Sequence, residues 1–164
     1  MAGEKLFKGG EFLIVDAIPE DVFTPEDFNK EQQMFAKSAE EFGIGEIVEK
    51  RDDLEELNPE LVRRLIKKAG DLGFLGADMP EIYGGSELDK VSASLVTEWI
   101  SQGVTGFSVA YAAHTGIGSL PIVFFGTPEQ KKKYVPKLAS GEMVGAFALT
   151  EPGHGTDALT SDTT

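Results

Sequence analysis

The spacing of apolar positions along the chain predicts a run of helices followed by one strand. Phe28, Phe35, Ala39 and Phe42 recur at steps of seven, four and three residues, which places them on one helical face. Thr24-Pro25-Glu26-Asp27 offers that helix a start, with a hydroxyl cap, a proline at the first helical position and acids in the first turn. Gly43 and Gly45 loosen the pattern, so the helix is expected to end or fray there. Asn58-Pro59-Glu60 opens a second helix, with Leu61, Leu65, Ala69 and Leu72 as its buried stripe and Gly73 as its stop. Pro80 and the pair Gly84-Gly85 mark residues 76–85 as a loop, after which Leu88, Val91, Leu95, Val96 and Trp99 resume a helical period. Ahead of all these, residues 3–22 are mixed and are expected to form an extended strap over a later core.

Residues 107–125 have a different character. They are apolar nearly all round and carry Ala110, Ala112, Ala113, Gly116 and Gly118, the composition of a helix buried on every side. The small residues permit close helix packing or leave room for a ligand, and Pro121 divides the run in two. Thr127-Pro128-Glu129-Gln130 is a capping box that opens a short basic helix through Lys131, Lys132, Lys133 and Tyr134, expected to end at Pro136. The three lysines read as a solvated helix face. Ser140-Gly141-Glu142 makes a turn, and residues 143–149, with no polar member, read as a buried strand. One strand cannot satisfy its own backbone donors and acceptors, and no other strong strand lies upstream. The edge is therefore expected to be completed by polypeptide outside these residues.

Composition narrows the function classes. A net charge of −13 argues against nucleic acid and anionic membrane surfaces as partners, since both would repel the chain. The absence of cysteine excludes disulfide scaffolds, thiolate catalysis and cysteine-ligated metal sites. His114 and His154 lie far apart and make no metal-ligand spacing. Residues 12–15 form the one short apolar patch near the N-terminus, too short for a signal peptide or a membrane span, so a soluble, cytoplasmic protein is expected.

The loop Thr150-Glu151-Pro152-Gly153-His154-Gly155-Thr156-Asp157 carries the candidate chemistry. Its glycines allow close backbone approach to a ligand, its threonines supply hydroxyls, and successive amides in such a turn can cradle an anion or an electron-rich ring edge. The same residues also suit an ordinary exposed turn between strands.

Residues 147–157 resemble the signature of the acyl-CoA dehydrogenase family, in which an aromatic and a short apolar pair precede Thr-Glu-Pro-Gly-x-Gly-Ser-Asp. Two further segments are similar to that family in the same order. Leu75-Gly76-Ala77-Asp78-Met79-Pro80-Glu81 with Tyr83-Gly84-Gly85 resembles a loop between its first helices, and residues 125–142 resemble the approach to its flavin strand. The resemblance runs from about Thr24 to the end of the chain.

It implies a mainly α fold: a strap at 1–23, an N-terminal helical domain at 24–142, and the first strand and loop of a middle β-domain at 143–164. It implies FAD as cofactor, lying along Phe147, Ala148, Leu149, Thr150, Gly155 and Thr156, with Thr150 near the isoalloxazine ring. Thr156, where the family usually has serine, is implied to touch both FAD and the acyl-CoA substrate; it keeps the hydroxyl and adds a methyl group. His154 stands where a small residue is usual. Val109 and Ala113 match positions that line the acyl pocket, where their apolar character implies a deeper cavity, and Ala112-Ala113-His114 with Ile117-Gly118 resembles the long-chain and very-long-chain branch; core packing is the alternative reading of the same helix. Leu88 and Val96 match the apolar hollow where an electron-transferring flavoprotein docks, or else are ordinary core.

By the same resemblance the catalytic carboxylate lies beyond residue 164, Glu151 has no role as base, no metal is required, and the whole enzyme is a homo-oligomer. The chain by itself is expected to be inactive and to bind FAD weakly or not at all. An acyl-CoA oxidase is a close relative of this reading. From another class, a helical interaction module that keeps only the docking surface would also carry these helices.

Overall fold

A computed structural model describes residues 6–7, 9–56 and 58–163, so parts of the expected strap, and Thr164 at the end of the expected β-segment, lie outside the described residues. Among the described residues seven α-helices form the body: α1 (Lys30–Phe42), α2 (Arg51–Glu55), α3 (Pro59–Asp71), α4 (Lys90–Ser101), α5 (Thr105–Ala113), α6 (Leu120–Phe125) and α7 (Pro128–Ala139).

The first helix starts later than its sequence signal. Thr24 and Asp27 do form a reciprocal cap, but on a single 3-10 turn, Pro25–Asp27. Asn29 then caps α1, accepting from the Gln32 N–H at 2.9 Å, while the Gln32 side chain accepts from the Asn29 N–H at 2.9 Å. At the other end the chain does not fray. A π turn, Gly43–Ile47, carries the helical path onward, because Gly43 lies against the backbone of Trp99 and Ile47 is fully buried.

Gln32 also donates to Asp89 at 3.0 Å, and Asp89 caps α4 through the Ser92 N–H at 2.8 Å. Gln32 joins Asp89 at one end and Gly43 meets Trp99 at the other, so α1 and α4 run side by side in the same direction. The main core lies between them, α3 and α5, built from Phe42, Leu65, Ile66, Phe74, Val96, Ile100, Phe107 and Tyr111. A second cluster of Met79, Val123, Val135, Leu138 and Ala139 joins α6 and α7. Each large side chain in these clusters contributes roughly 1.5–3 kcal/mol by leaving water. Gly73, at φ 80°, ends the α3 segment as expected, although Leu72 points out and is 40% exposed.

Four other expectations are corrected. The N-terminal segment is not an extended strap on the core: Glu11–Leu13 and Pro19–Asp21 are 3-10 turns, and Leu13, Ile14 and Ile18 are exposed. Pro136 does not stop α7, which continues to Ala139 because Val135, Leu138 and Ala139 are buried while Lys132 and Pro136 face outward. Thr105–Phe125 is not buried on every side. Phe107, Tyr111, His114 and Val123 pack inward, while Val109, Ile117, Phe124 and Phe125 are exposed. By length and composition this stretch could cross a membrane, yet a π turn, His114–Gly118, interrupts it and Pro121 stands in the first turn of α6.

The last correction concerns residues 143–149. They are not a buried strand: among the described residues no strand forms, and Met143, Val144, Phe147 and Leu149 are all exposed. A β-strand exists only by pairing, and no extended neighbour is present to receive its hydrogen bonds.

Candidate functional site

The candidate loop hangs from the C-terminal end of α7. After that helix, Gly141 turns the chain, and the Met143 N–H donates to Lys137 O at 3.0 Å. Gly145 then crosses the π turn so closely that a Cβ on Gly118 would lie 2.5 Å from the Gly145 carbonyl carbon. Val144 reaches back to α5, where it closes one side of an apolar cavity of about 410 Å³ with Leu54, Val62, Ile66, Gly106 and Ala110.

The sequence-derived substrate positions stand beside this cavity, not in its wall. Gly106 and Ala110 line it; Val109 and Ala113 lie three residues further along the same helical face, Val109 at 62% exposure. The face is apolar, with Val109 exposed and Ala113 half-buried.

The cofactor-contacting candidates share one exposed edge. Phe147, Ala148, Leu149, Thr150, Gly155 and Thr156 are all open to solvent. Among the described residues, no hydrogen bond occupies the N–H groups of Ala146 through Thr150. Free amide donors, two threonine hydroxyls and an apolar flank suit the edge of a flavin ring, which needs hydrogen bonds on one rim and apolar contact on its face. The fit is one-sided: these residues offer an edge and no enclosure.

Beyond Thr150 the loop is closed by its own hydrogen bonds. Glu151 and His154 exchange backbone bonds of 3.0 and 3.2 Å. The Glu151 carboxylate accepts from the N–H groups of Asp162 and Thr163 at 2.7 and 3.0 Å; its pKa is lowered by the Thr163 side chain first and by these two N–H groups after it. Asp157 takes His154 Nδ1 at 3.0 Å, Thr160 Oγ1 at 2.8 Å and the Gly155 N–H at 2.9 Å. These bonds, that with His154 foremost, hold its carboxyl down to about 2. Ligand atoms of Glu151, His154 and Asp162 lie within 4.8 Å of one another, a closeness these turn-closing hydrogen bonds account for.

Of the two docking positions, Val96 is fully buried on the inner face of α4 and Leu88 is half-buried. Val96 is therefore core and offers no surface to a partner. The lysine run behaves as a solvated face, with the Lys133 ammonium 4.8 Å from the centre of the Tyr134 ring.

His114 was not among the sequence-derived site positions. Its ring is fully buried, with Nε2 3.1 Å from Leu138 O and Nδ1 accepting from the Gly145 N–H at 2.9 Å. The signal was present: Phe107, Tyr111 and His114 follow at i, i+4 and i+7 on one face.

Comparison with known proteins gives a consistent result. Residues 29–142 match the family model described as acyl-CoA dehydrogenase, N-terminal domain. A probable acyl-CoA dehydrogenase of Bacillus subtilis (strain 168) is 55% identical over 157 residues, covering 96% of this chain and 26% of that protein. The crystal structure of an acyl-CoA dehydrogenase complexed with FAD from Bacillus anthracis superposes with a TM-score of 0.85 at 52% identity, covering 94% of this chain and 26% of that one. Butyryl-CoA dehydrogenase from Megasphaera elsdenii superposes with a TM-score of 0.69 at 33% identity, over 80% of this chain and 35% of that structure. The chain thus spans between about a quarter and a third of the length of these relatives.

Proposed function

Because the chain belongs to the acyl-CoA dehydrogenase family, we propose that it supplies the N-terminal helical part, and the first flavin-facing edge, of an FAD-dependent enzyme that introduces a double bond next to the thioester of a fatty acyl-CoA. In this reading residues 24–142 are the helical domain and residues 143–164 begin a β-domain. The observation that carries it is the exposed run of unpaired amides at residues 146–150, followed by the glycine-bearing loop.

FAD would supply the hydride acceptor when bound. The chain's own residues then have distinct tasks. The free N–H groups and the Thr150 hydroxyl face the ring edge. Phe147 and Leu149 give apolar contact and exclude water. Gly155 lets the backbone approach, and the Thr156 hydroxyl reaches both cofactor and substrate. The apolar face of Val109 and Ala113, continuous with the cavity under Val144, receives the acyl chain. The cavity lining is apolar apart from Arg63, so the reading favours longer acyl groups.

The base that takes the proton beside the thioester carbonyl is a carboxylate beyond residue 164, and the electrons pass to an electron-transferring flavoprotein in the cytoplasm. A hybrid tests this reading: residues 1–164 joined to the remaining sequence of the Bacillus subtilis relative, assayed for acyl-CoA-dependent reduction of an artificial acceptor at several chain lengths. Turnover rising with chain length supports it. A flavin-loaded hybrid that oxidises no acyl-CoA would overturn it.

A further inference from the structure

The segment that faces the flavin in this reading is held to the helical body at one crossing. At that crossing, the π turn His114–Gly118 opens the α5 path, and the backbone of Gly145 passes against Gly118. Neither residue tolerates a side chain there, since a Cβ on Gly145 would come within 2.9 Å of the Gly118 backbone. His114 stands at the head of the π turn, fully buried, and uses both ring nitrogens.

The bonding fixes the state of the ring. A backbone N–H can only donate, so Nδ1, which receives Gly145, carries no proton. A carbonyl can only accept, so Nε2, which faces Leu138 O, carries one. The imidazole is neutral, in a single tautomer, and ties the end of α7 to the start of the exposed segment. From Gly145 to the Glu151–His154 bridge, no other hydrogen bond from a backbone N–H holds the chain among the described residues.

We propose that His114 is a positioning residue, which sets the register and direction in which residues 146–150 leave the helical body. The proposal rests on the reading that these residues lead into the flavin-facing edge, but the clasp itself forms without FAD. Two substitutions separate its two bonds. In His114→Asn the amide oxygen can stand where Nδ1 stands and keep the Gly145 bond. In His114→Gln the amide nitrogen can stand where Nε2 stands and keep the Leu138 bond.

Amide hydrogen exchange of the 164-residue chain, followed by NMR without FAD, reads the result. Gly145 is expected to stay protected in wild type and His114→Asn, and to exchange about tenfold faster in His114→Gln, the size of one lost hydrogen bond. The core amides of Ala69 and Val96 stay protected in all three. Equal loss in both variants, retained protection in His114→Gln, or core amides opening together with Gly145 would overturn the proposal. Ring nitrogen shifts of the wild-type chain give a check that needs no variant: a proton on Nδ1 contradicts it. The FAD content of the hybrid bears only on the flavin reading, so a flavin-free hybrid with a protected Gly145 would sink that reading and leave the clasp standing.

Discussion

Burial pushes the His114 pKa below its ordinary 6.5, because the charged ring would lose its hydration; the bond to the Leu138 carbonyl opposes this only in part. The unfolded chain therefore binds a proton below pH 6.5 that the folded chain refuses. Stability conferred by the neutral ring is complete above that pH and declines as pH falls toward the folded value. The shifted carboxylates, Glu26, Glu46, Glu129, Glu151, Asp89 and Asp157, are also lowered, but their losses begin near 4.5 for the glutamates and 3.8 for the aspartates. Between pH 6.5 and 5 the denaturation midpoint is expected to drop in wild type and to stay flatter in His114→Asn; parallel curves would remove His114 as the cause. That such a histidine would be buried was legible from its place on the Phe107–Tyr111 face. Its two partners were not, because they come from segments 24 and 31 residues away in sequence. Tyr111 illustrates the same point, with its hydroxyl donating to Phe74 O at 3.0 Å across 37 residues.

Among elements, caps were the clearest signals. Asn58, Thr127 and the capping box at Gln130 all stand where the sequence put them. The start of α1 was misjudged because Thr24 and Asn29 are both good caps, and only packing of Gln32 on Asp89 decides between them. That link gives a prediction. Gln32→Ala removes the hydrogen bond from Gln32, in the first turn of α1, to Asp89, the N-cap of α4, and the bond it accepts from the Asn29 N–H, and is expected to cost about 1–3 kcal/mol in urea denaturation. A change well under half a kcal/mol would show that apolar packing alone aligns the two helices. Pro136 misled for a related reason. A proline costs a helix one hydrogen bond and a steric clash, and burial of Val135, Leu138 and Ala139 outweighs that cost. The 143–149 run was read as a strand, yet it is exposed and unpaired among the described residues. It was misread as buried, because burial of a strand depends on a neighbour that the local pattern cannot reveal.

At the scale of the whole molecule, two well-packed clusters support a surface that is apolar where a soluble protein is usually polar. Val109, Ile117, Phe124, Phe125, Phe147 and Leu149 are all exposed, along one helical stretch and the segment that follows α7. Exposed apolar area of this kind marks a surface that another body covers, and in the proposed reading that body is FAD, substrate and the rest of a longer enzyme. The sequence motifs conveyed the family, while the place of the flavin edge belongs to the proposed reading. They conveyed neither the cavity under Val144 nor the open side of α5, both of which depend on how residues 143–145 cross the helices. The chain by itself, purified with added FAD, is expected to show no stoichiometric visible flavin absorption, since its residues offer one edge and no enclosure. A yellow one-to-one complex would show that the edge alone suffices.

The most direct test of the account is the flavin content of the hybrid that joins residues 1–164 to the remainder of the Bacillus subtilis relative. Its visible absorption after gel filtration should report about one FAD per chain, because in the proposed reading residues 147–156 supply contacts to the ring that the rest of the enzyme lacks. A soluble, folded hybrid that elutes without flavin would contradict the claim that this edge is where the cofactor lies.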